Sequence, residues 1–217
     1  MGLFRLTPAH LITAEGALPG RAEPVLPHPA PHAVLGTSLT GPWPPGTAVL
    51  HLAMGCFWGA EELLWQLPGA VTTSVGYQGG FTANPTYEQA CTGLTGHAEV
   101  ATIAYDPTVL SEYDIFKLFW ESHDPTQGYR QGNDVGTQYR SAVYWTTDGQ
   151  REVAGSTRDA YAAVLAARGY PEISTTIEPA ADHVYYLAED YHQQYLRKNP
   201  NGYRCHANTG LALPPPT

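Results

Sequence analysis

Between about Gly46 and Leu196 the chain alternates short apolar, β-tending runs with segments whose apolar residues recur at helical spacing, and few folds accommodate that order. Residues 48–53, 71–76, 98–105, 141–145 and 173–177 read as strands. Phe57, Ala60, Leu64 and Leu67 mark one face of a helix that ends at Pro68-Gly69. Ser111 caps the next, with Asp114 three residues on and Ile115, Leu118 and Phe119 as its buried stripe; it stops before Pro125. An Ala-rich helix is expected over 151–168, stopped by Gly169 and preceded by a turn at Asp148-Gly149. A last helix is expected over 185–196, ended by Asn199-Pro200-Asn201-Gly202. Glycines and Asn84-Pro85 mark 76–86 as a long loop, 128–137 reads as a glycine-broken loop, and 87–92 fits neither period. Strands alternating with helices predict a sheet covered by helices, an α/β fold of the α+β two-layer kind.

The flanks read differently. Residues 1–45 are rich in proline and weakly patterned, which predicts an extended arm wrapping a compact domain at 46–198. Residues 199–217 form an irregular tail closing on Pro214-Pro215-Pro216. A chain of 217 residues can bury a substantial core, and a net charge of −9 lacks the basic surface that nucleic acid requires. No apolar run is long enough to span a bilayer. The segment Met1-Gly2-Leu3-Phe4-Arg5-Leu6 has neither a signal peptide's apolar core nor a myristoylation signal, so a cytoplasmic protein is expected. Three cysteines are too few for a disulfide framework, and in a reducing compartment a disulfide between them would be transient. Without paired Cys-x-x-Cys spacing they make no zinc site.

Cys56 lies where strand meets helix, in Met54-Gly55-Cys56-Phe57-Trp58-Gly59. At a helix N-terminus the free N–H groups and the dipole favour an anion, which predicts a thiol pKa below its free value and a nucleophile; the other reading is a small buried hydrophobe. Glu99 shares its strand face with Ala101, Ile103 and Tyr105, so it is either a solvated strand end or a buried, proton-bearing acid. Asp134 sits in a loop where aspartate usually serves a turn. Tyr87 and Tyr139 are packing aromatics or hydroxyl donors. His97 could pair with Cys56 as in a cysteine hydrolase, or be a solvated loop histidine. Cys205, in the tail, is placed to swing onto another sulfur, and Cys91 reads as a buried structural thiol.

Several motifs in order resemble one family. Gly55-Cys56-Phe57-Trp58-Gly59-Ala60-Glu61, Asn84-Pro85-Thr86-Tyr87, Gly96-His97-Ala98-Glu99, His123-Asp124-Pro125-Thr126-Gln127, the run from Gly132 to Ala142, and His192-Gln193-Gln194-Tyr195-Leu196 are similar to the A-type peptide methionine sulfoxide reductases. Ala17-Leu18-Pro19-Gly20-Arg21 in the arm resembles the longer bacterial members. The resemblance implies a mixed, ferredoxin-like sheet covered by helices, with the extended N-terminal arm and the irregular C-terminal tail outside it. It also implies roles. Cys56 attacks the sulfur of the S epimer of methionine sulfoxide, free or in oxidised proteins. Glu99 donates a proton to the oxygen, Tyr87 and Tyr139 donate hydroxyls to it, and Asp134 orders a water. Phe57 and Trp58 take the methyl group. Cys205 resolves the Cys56 sulfenic acid as a disulfide, and thioredoxin or dithiothreitol reduces that disulfide. No metal or organic cofactor and a monomeric state are expected. Two departures stand out: Arg204 intervenes between Tyr203 and Cys205 where many relatives read Gly-Tyr-Cys, and no cysteine follows Cys205.

Overall fold

The computed structural model describes residues 10–205 and 207–216. The first nine residues of the expected arm, and positions 206 and 217 of the tail, lie outside the described residues. Strand β1 (Ala48–Met54) leads through helix α1 (Phe57–Trp65) to β2 (Ala70–Gln78). A short α2 (Tyr87–Cys91) precedes β3 (Ala98–Tyr105) and α3 (Glu112–Ser122). A small hairpin, β4 (Arg130–Gln131) with β5 (Asp134–Val135), leads to β6 (Ser141–Trp145) and α4 (Asp148–Ala166). Strands β7 (Thr176–Pro179) and β8 (Tyr186–Leu187) and helix α5 (Tyr195–Lys198) complete the chain's regular elements among the described residues.

The main sheet runs β7-β6-β1-β3-β2-β8. Its β6-β1-β3-β2 centre is antiparallel and is threaded β1-α1-β2-β3-α3-β6, the split βαβ arrangement of ferredoxin-like folds. The parallel β6–β7 pair makes the sheet mixed. Period-2 alternation decides which residues meet the helices. Leu50, Leu52, Val75, Ala101, Ile103 and Val143 face α1, α3 and α4, which contribute Phe57, Leu64, Phe116, Phe119 and Tyr161 to the same core. Each such large side chain, fully buried, contributes roughly 1.5–3 kcal/mol. Ala53, Ala98, Val100, Ala142 and Tyr144 face the other way, with Tyr185 packed on them. The described part of the arm holds a short helical turn at Ala14–Gly16 and a hydrogen-bonded turn at 33–35 and is otherwise irregular, and backbone and side-chain hydrogen bonds tie it to the domain: Leu18 N–H to Leu94 O (2.9 Å), Arg21 N–H to Ala83 O (2.9 Å) and Thr37 Oγ1–H to Val71 O (2.7 Å).

At five segments the structure differs from the expectation or adds to it. Asp148-Gly149 is not a turn but the first turn of α4. Thr147 accepts from the Gln150 amide, and Gln150 reaches back to the Thr147 amide, a capping box strong enough to carry the glycine. Residues 87–92, untyped in the sequence, hold α2, started by a second capping box between Thr86 and Gln89. The 128–137 loop contains the β4–β5 hairpin, and the strand expected at 173–177 forms at Thr176–Pro179. The helix expected over 185–196 is replaced by β8, irregular turns and the short α5. There the edge of β2 competes for the chain. Tyr186 and Leu187 pair with Tyr77 and Gly76, the Ala188 amide donates to Val75 O, and the Gln193 side chain bonds both backbone groups of Val75. Gln194 then takes a left-handed conformation (φ 47°), which no continuous helix tolerates.

Thr147→Ala should lower stability by about 1 kcal/mol, the usual cost of a lost N-cap. Urea denaturation checks it; an unchanged midpoint would show that Gln150 alone starts α4.

Candidate active site

Gly55, at φ +92°, turns the chain from β1 into α1, and a Cβ there would lie 2.7 Å from Gln131 Cγ. This turn makes Cys56 the N-cap of α1, 8% exposed. The nearest N–H groups of the helix start are divided between two side chains. The Phe57 amide donates to Glu99 Oε2 at 3.0 Å, and the Trp58 amide hydrogen-bonds the thiol. Glu99 is buried, 2% exposed, opposite Tyr77 on β2, so it is not a solvated strand end. Burial pushes its carboxyl up to about 8, against the pull of the Phe57 amide, so it carries a proton at neutral pH.

The expected low Cys56 pKa does not hold in this resting site. Burial pushes the thiol well above its ordinary range. The nearby Glu99, and more weakly Asp134 and Cys205, push the same way, and the Trp58 amide only opposes them. A helix terminus favours an anion, but removal from water disfavours it more. The resting site therefore stores two protons, one on sulfur and one on carboxyl, and they come off in two steps that belong to the pair.

Tyr87 and Tyr139 both sense Glu99: burial raises both hydroxyls, and Glu99 adds to it, after Cys91 in the case of Tyr87. Tyr87 is the first residue of α2, and its amide donates to Glu189 Oε1 at 2.9 Å. Tyr139 ends the single turn Thr137–Tyr139 that leads into β6. Asp134 starts β5 and accepts from Tyr203 Oη at 3.1 Å; burial raises its carboxyl, and hydrogen bonds to Tyr203 and Cys205 lower it. Asp134 thus faces the tail. Phe57 is 1% exposed, and Trp58 is half-buried.

The sequence reading missed the residue at the centre of the aromatic group. His192 is fully buried, with ring centroids 5.0 Å from Phe57, 4.5 Å from Tyr87 and 5.7 Å from Trp58. Trp58 Nε1–H donates to its Nδ1 at 2.9 Å, and burial lowers its pKa to about 4, so the ring is neutral with its proton on Nε2. Tyr195 stacks on Trp58 at 3.8 Å. Glu189, also missed, accepts from the Tyr77 hydroxyl and the Tyr87 amide. Glu61, fully buried and pushed up to about 7 by burial, accepts from Thr73 Oγ1 and from the amide and side chain of Gln194. Together these residues lock α1 to the 189–195 segment. The His192-Gln193-Gln194 run was visible in the sequence, but nothing in its pattern named their partners.

His97 is not a base for Cys56. Its Nδ1 accepts from the Gly80 amide at 3.0 Å, its Nε2 bonds Thr82 O at 2.7 Å, and burial lowers it to about 4. The arrangement of a cysteine hydrolase is therefore not made. Cys91 is half-buried beside Tyr87 rather than sealed in the core, and burial pushes its thiol up to about 11. Cys205 is also half-buried, its Sγ 3.5 Å from Gln131 O, and all three cysteines are free. Among the described residues no cluster of His, Cys, Asp and Glu could hold a metal ion, and no helix is long and apolar enough to cross a membrane.

Residues 48–213 match the family model described as peptide methionine sulfoxide reductase. The chain is 61% identical over 215 residues to the peptide methionine sulfoxide reductase MsrA of Salinispora tropica, covering 97% of this chain and 96% of that protein. It is 55% identical over 217 residues to the MsrA of Rhodospirillum centenum, covering 100% and 98%. Among solved structures it is similar to methionine sulfoxide reductase A of Corynebacterium diphtheriae, with a TM-score of 0.82 and 47% identity over 95% of this chain and 100% of that one. Mxr1 from Saccharomyces cerevisiae in reduced form aligns with a TM-score of 0.67 and 35% identity, covering 76% and 93%.

Alkylation of Cys56 by iodoacetamide, followed by peptide mass analysis, should be slow at neutral pH and accelerate only in alkaline solution. Glu99→Gln should shift that profile to lower pH, because it removes a neighbouring negative charge. A profile unchanged by the substitution would show that the two groups do not sense each other.

Proposed function

The chain belongs to the peptide methionine sulfoxide reductase family and is an enzyme that reduces methionine sulfoxide, and from that premise we propose that it acts on the S epimer through a Cys56 sulfenic acid resolved by Cys205. The observation that carries this reading is the protonated, buried Glu99 held by the Phe57 amide beside the Cys56 thiol.

A sulfoxide sulfur is electrophilic, and its oxygen leaves only once it is protonated. Cys56 attacks the sulfur as Glu99 hands its proton to the oxygen, and the thiol proton recharges Glu99. The hydroxyls of Tyr87 and Tyr139 donate to the oxygen as negative charge builds on it, in a site too dry for water to compete. The hydroxyl then passes from the substrate sulfur to the Cys56 sulfur as the bond between the two sulfurs breaks, methionine departs, and Cys56 is left as a sulfenic acid, the reversible first step of cysteine oxidation. The Cys205 thiol displaces the hydroxyl as water and forms the disulfide. Thioredoxin, or dithiothreitol in the test tube, then returns both thiols by exchange. Asp134, hydrogen-bonded to Tyr203, serves the tail in this scheme as much as any water in the site. No metal or organic cofactor takes part, and both free and peptide-bound methionine sulfoxide fit it.

The choice of one epimer follows from chemistry fixed on different sides. Phe57 and Trp58, set by His192, offer an apolar wall for the methyl group, while Glu99, Tyr87 and Tyr139 offer donors for the oxygen. The wrong hand places oxygen against the wall or methyl among the donors, and unpaired buried polar groups can cost factors of about 10⁴.

One assay on separated epimers tests the scheme. Wild-type protein should reduce the S epimer with thioredoxin and leave the R epimer. Cys56→Ser should be inactive, and Cys205→Ser should yield one methionine per enzyme and then stop. Comparable rates for the two epimers would refute the pocket; normal cycling of Cys205→Ser would make Cys91 the resolving thiol.

Glu99→Gln should slow single-turnover reduction by roughly 10²–10⁴-fold, the contribution of a positioned acid. Because the carboxyl's pKa is raised to about 8, its acid form prevails below that pH and is lost above it. The wild-type single-turnover rate should therefore fall as pH rises through about 8, and the variant should lack that limb. A wild-type rate that stays level past that pH would remove Glu99 from the acid's role.

A further inference from the structure

Residue 204 places an arginine directly before the tail cysteine, and its guanidinium is fully engaged. Nε–H and Nη2–H donate to Glu62 Oε2 and Oε1 at 2.6 and 2.7 Å, and Nη1–H donates to Pro200 O at 2.9 Å. The two-pronged fork is the geometry in which an arginine–carboxylate pair fixes direction as well as distance. Glu62 belongs to α1, the helix that Cys56 caps, so the pair ties the tail to the body that carries the nucleophile. Six residues of helix separate them, about 9 Å along the axis. The neighbouring residue makes a second anchor, Tyr203 Oη–H to Asp134 on the β4–β5 hairpin. Directly after the anchors, Cys205 rests against Gln131 O and Gly132. Cys56 and Cys205 both border one cavity of about 290 Å³, with Gly59, Ala60 and Gln131 around them.

We infer that Arg204 and Glu62 are positioning residues for the resolving step: their ion pair holds Cys205 over the cavity into which Cys56 opens. This rests on the reading of Cys205 as the resolving thiol. In that step the Cys205 sulfur attacks the Cys56 sulfenic sulfur. An S–S bond forms, the S–O bond breaks, and the hydroxyl leaves as water with the Cys205 proton. The oxidising equivalent is the one taken from methionine sulfoxide. A disulfide needs Cα atoms about 4.4–6.8 Å apart, so a tail searching freely would rarely present its sulfur correctly, whereas one fixed at the adjacent residue starts close. The pair makes no hydrogen bond to the substrate donors or to the aromatic wall, so the first methionine should form without it.

The test is rapid-quench chemistry on the whole chain with one equivalent of S-sulfoxide peptide, following methionine release and Cys56–Cys205 disulfide formation separately. Arg204→Met and Glu62→Gln should each leave methionine release at the wild-type rate and slow disulfide formation by about tenfold or more. The double variant should be no slower than either single one, because both remove the same contact. Raising the salt concentration should slow the wild-type disulfide step and leave the variants' unchanged. The swapped pair, Glu62→Arg with Arg204→Glu, should recover part of the rate, which a fold defect would not allow. Disulfide formation at the wild-type rate in Arg204→Met, or additive losses in the double variant, would overturn the inference. Failure of the resolving role itself would show differently, as continued thioredoxin-driven turnover by Cys205→Ser.

Discussion

The site depends on one hydrogen bond, from the Phe57 amide to Glu99 Oε2. The bond joins the start of α1 to the helix-facing side of β3 near its first residues, at one end of the apolar contact between the two elements. It also settles the protonation of the site. A carboxyl buried without a partner would be costly, and one paired with a cation would be ionised and useless as an acid. A single amide donor lies between: it satisfies one oxygen and leaves burial to dominate, so the proton stays on at neutral pH. Burial first, and the nearby Glu99 after it, keep Cys56 protonated despite its N-cap position, with the Trp58 amide pulling the other way.

Around that bond the fold supplies rigidity from a segment far away in sequence. Glu61, one turn into α1, takes the amide and side chain of Gln194, and Trp58 takes His192 and Tyr195. The arm joins the same network, since His32 Nε2 bonds Thr73 Oγ1 and the Ala33 amide donates to Gln194 Oε1. Buried polar networks of this kind are favourable only when nearly complete. Within this network His192 Nε2 lacks a partner among the described residues and lies 4.0 Å from Glu189 Oε2; Thr72 Oγ1, Gln78 Oε1, Thr137 Oγ1 and Gln138 Oε1 are buried without one outside it.

Much of this was legible in the chain. Alternation placed β1, β3 and β6 closely, and the parity of Glu99 with Ala101 and Ile103 put its side chain on the helix-facing side, though parity alone could not say whether water reached it. The sequence misled wherever a local signal competed with a distant partner. Asp148-Gly149 looks like a turn until Thr147 and Gln150 are seen to cap each other. Residues 185–196 have helical composition, but the open edge of β2 takes the backbone of Tyr186 and Leu187 and the side chain of Gln193. The Cys56 pKa was misjudged for the same reason: the helix start is a local fact, and burial is not. His192 and Glu189 escaped notice because their importance lies in what surrounds them.

The burial that keeps Glu99 protonated also bears on why the tail has a place in the proposed scheme. Cys56 is 8% exposed and Glu99 beside it 2%. A small sulfoxide side chain can enter such a site, but a folded reductant cannot bring its own sulfur to Cys56 without opening it. Opening it would let water reach Glu99, lower its pKa and discharge the acid. On the proposed reading the difficulty is met by moving the oxidising equivalent instead of the reductant. Cys205 is half-buried on a segment near the surface, and the disulfide carries the equivalent outward to it. A carrier of this kind must be close to Cys56 yet not bonded to it at rest, a condition that a fixed neighbour such as Arg204 meets better than a loose chain.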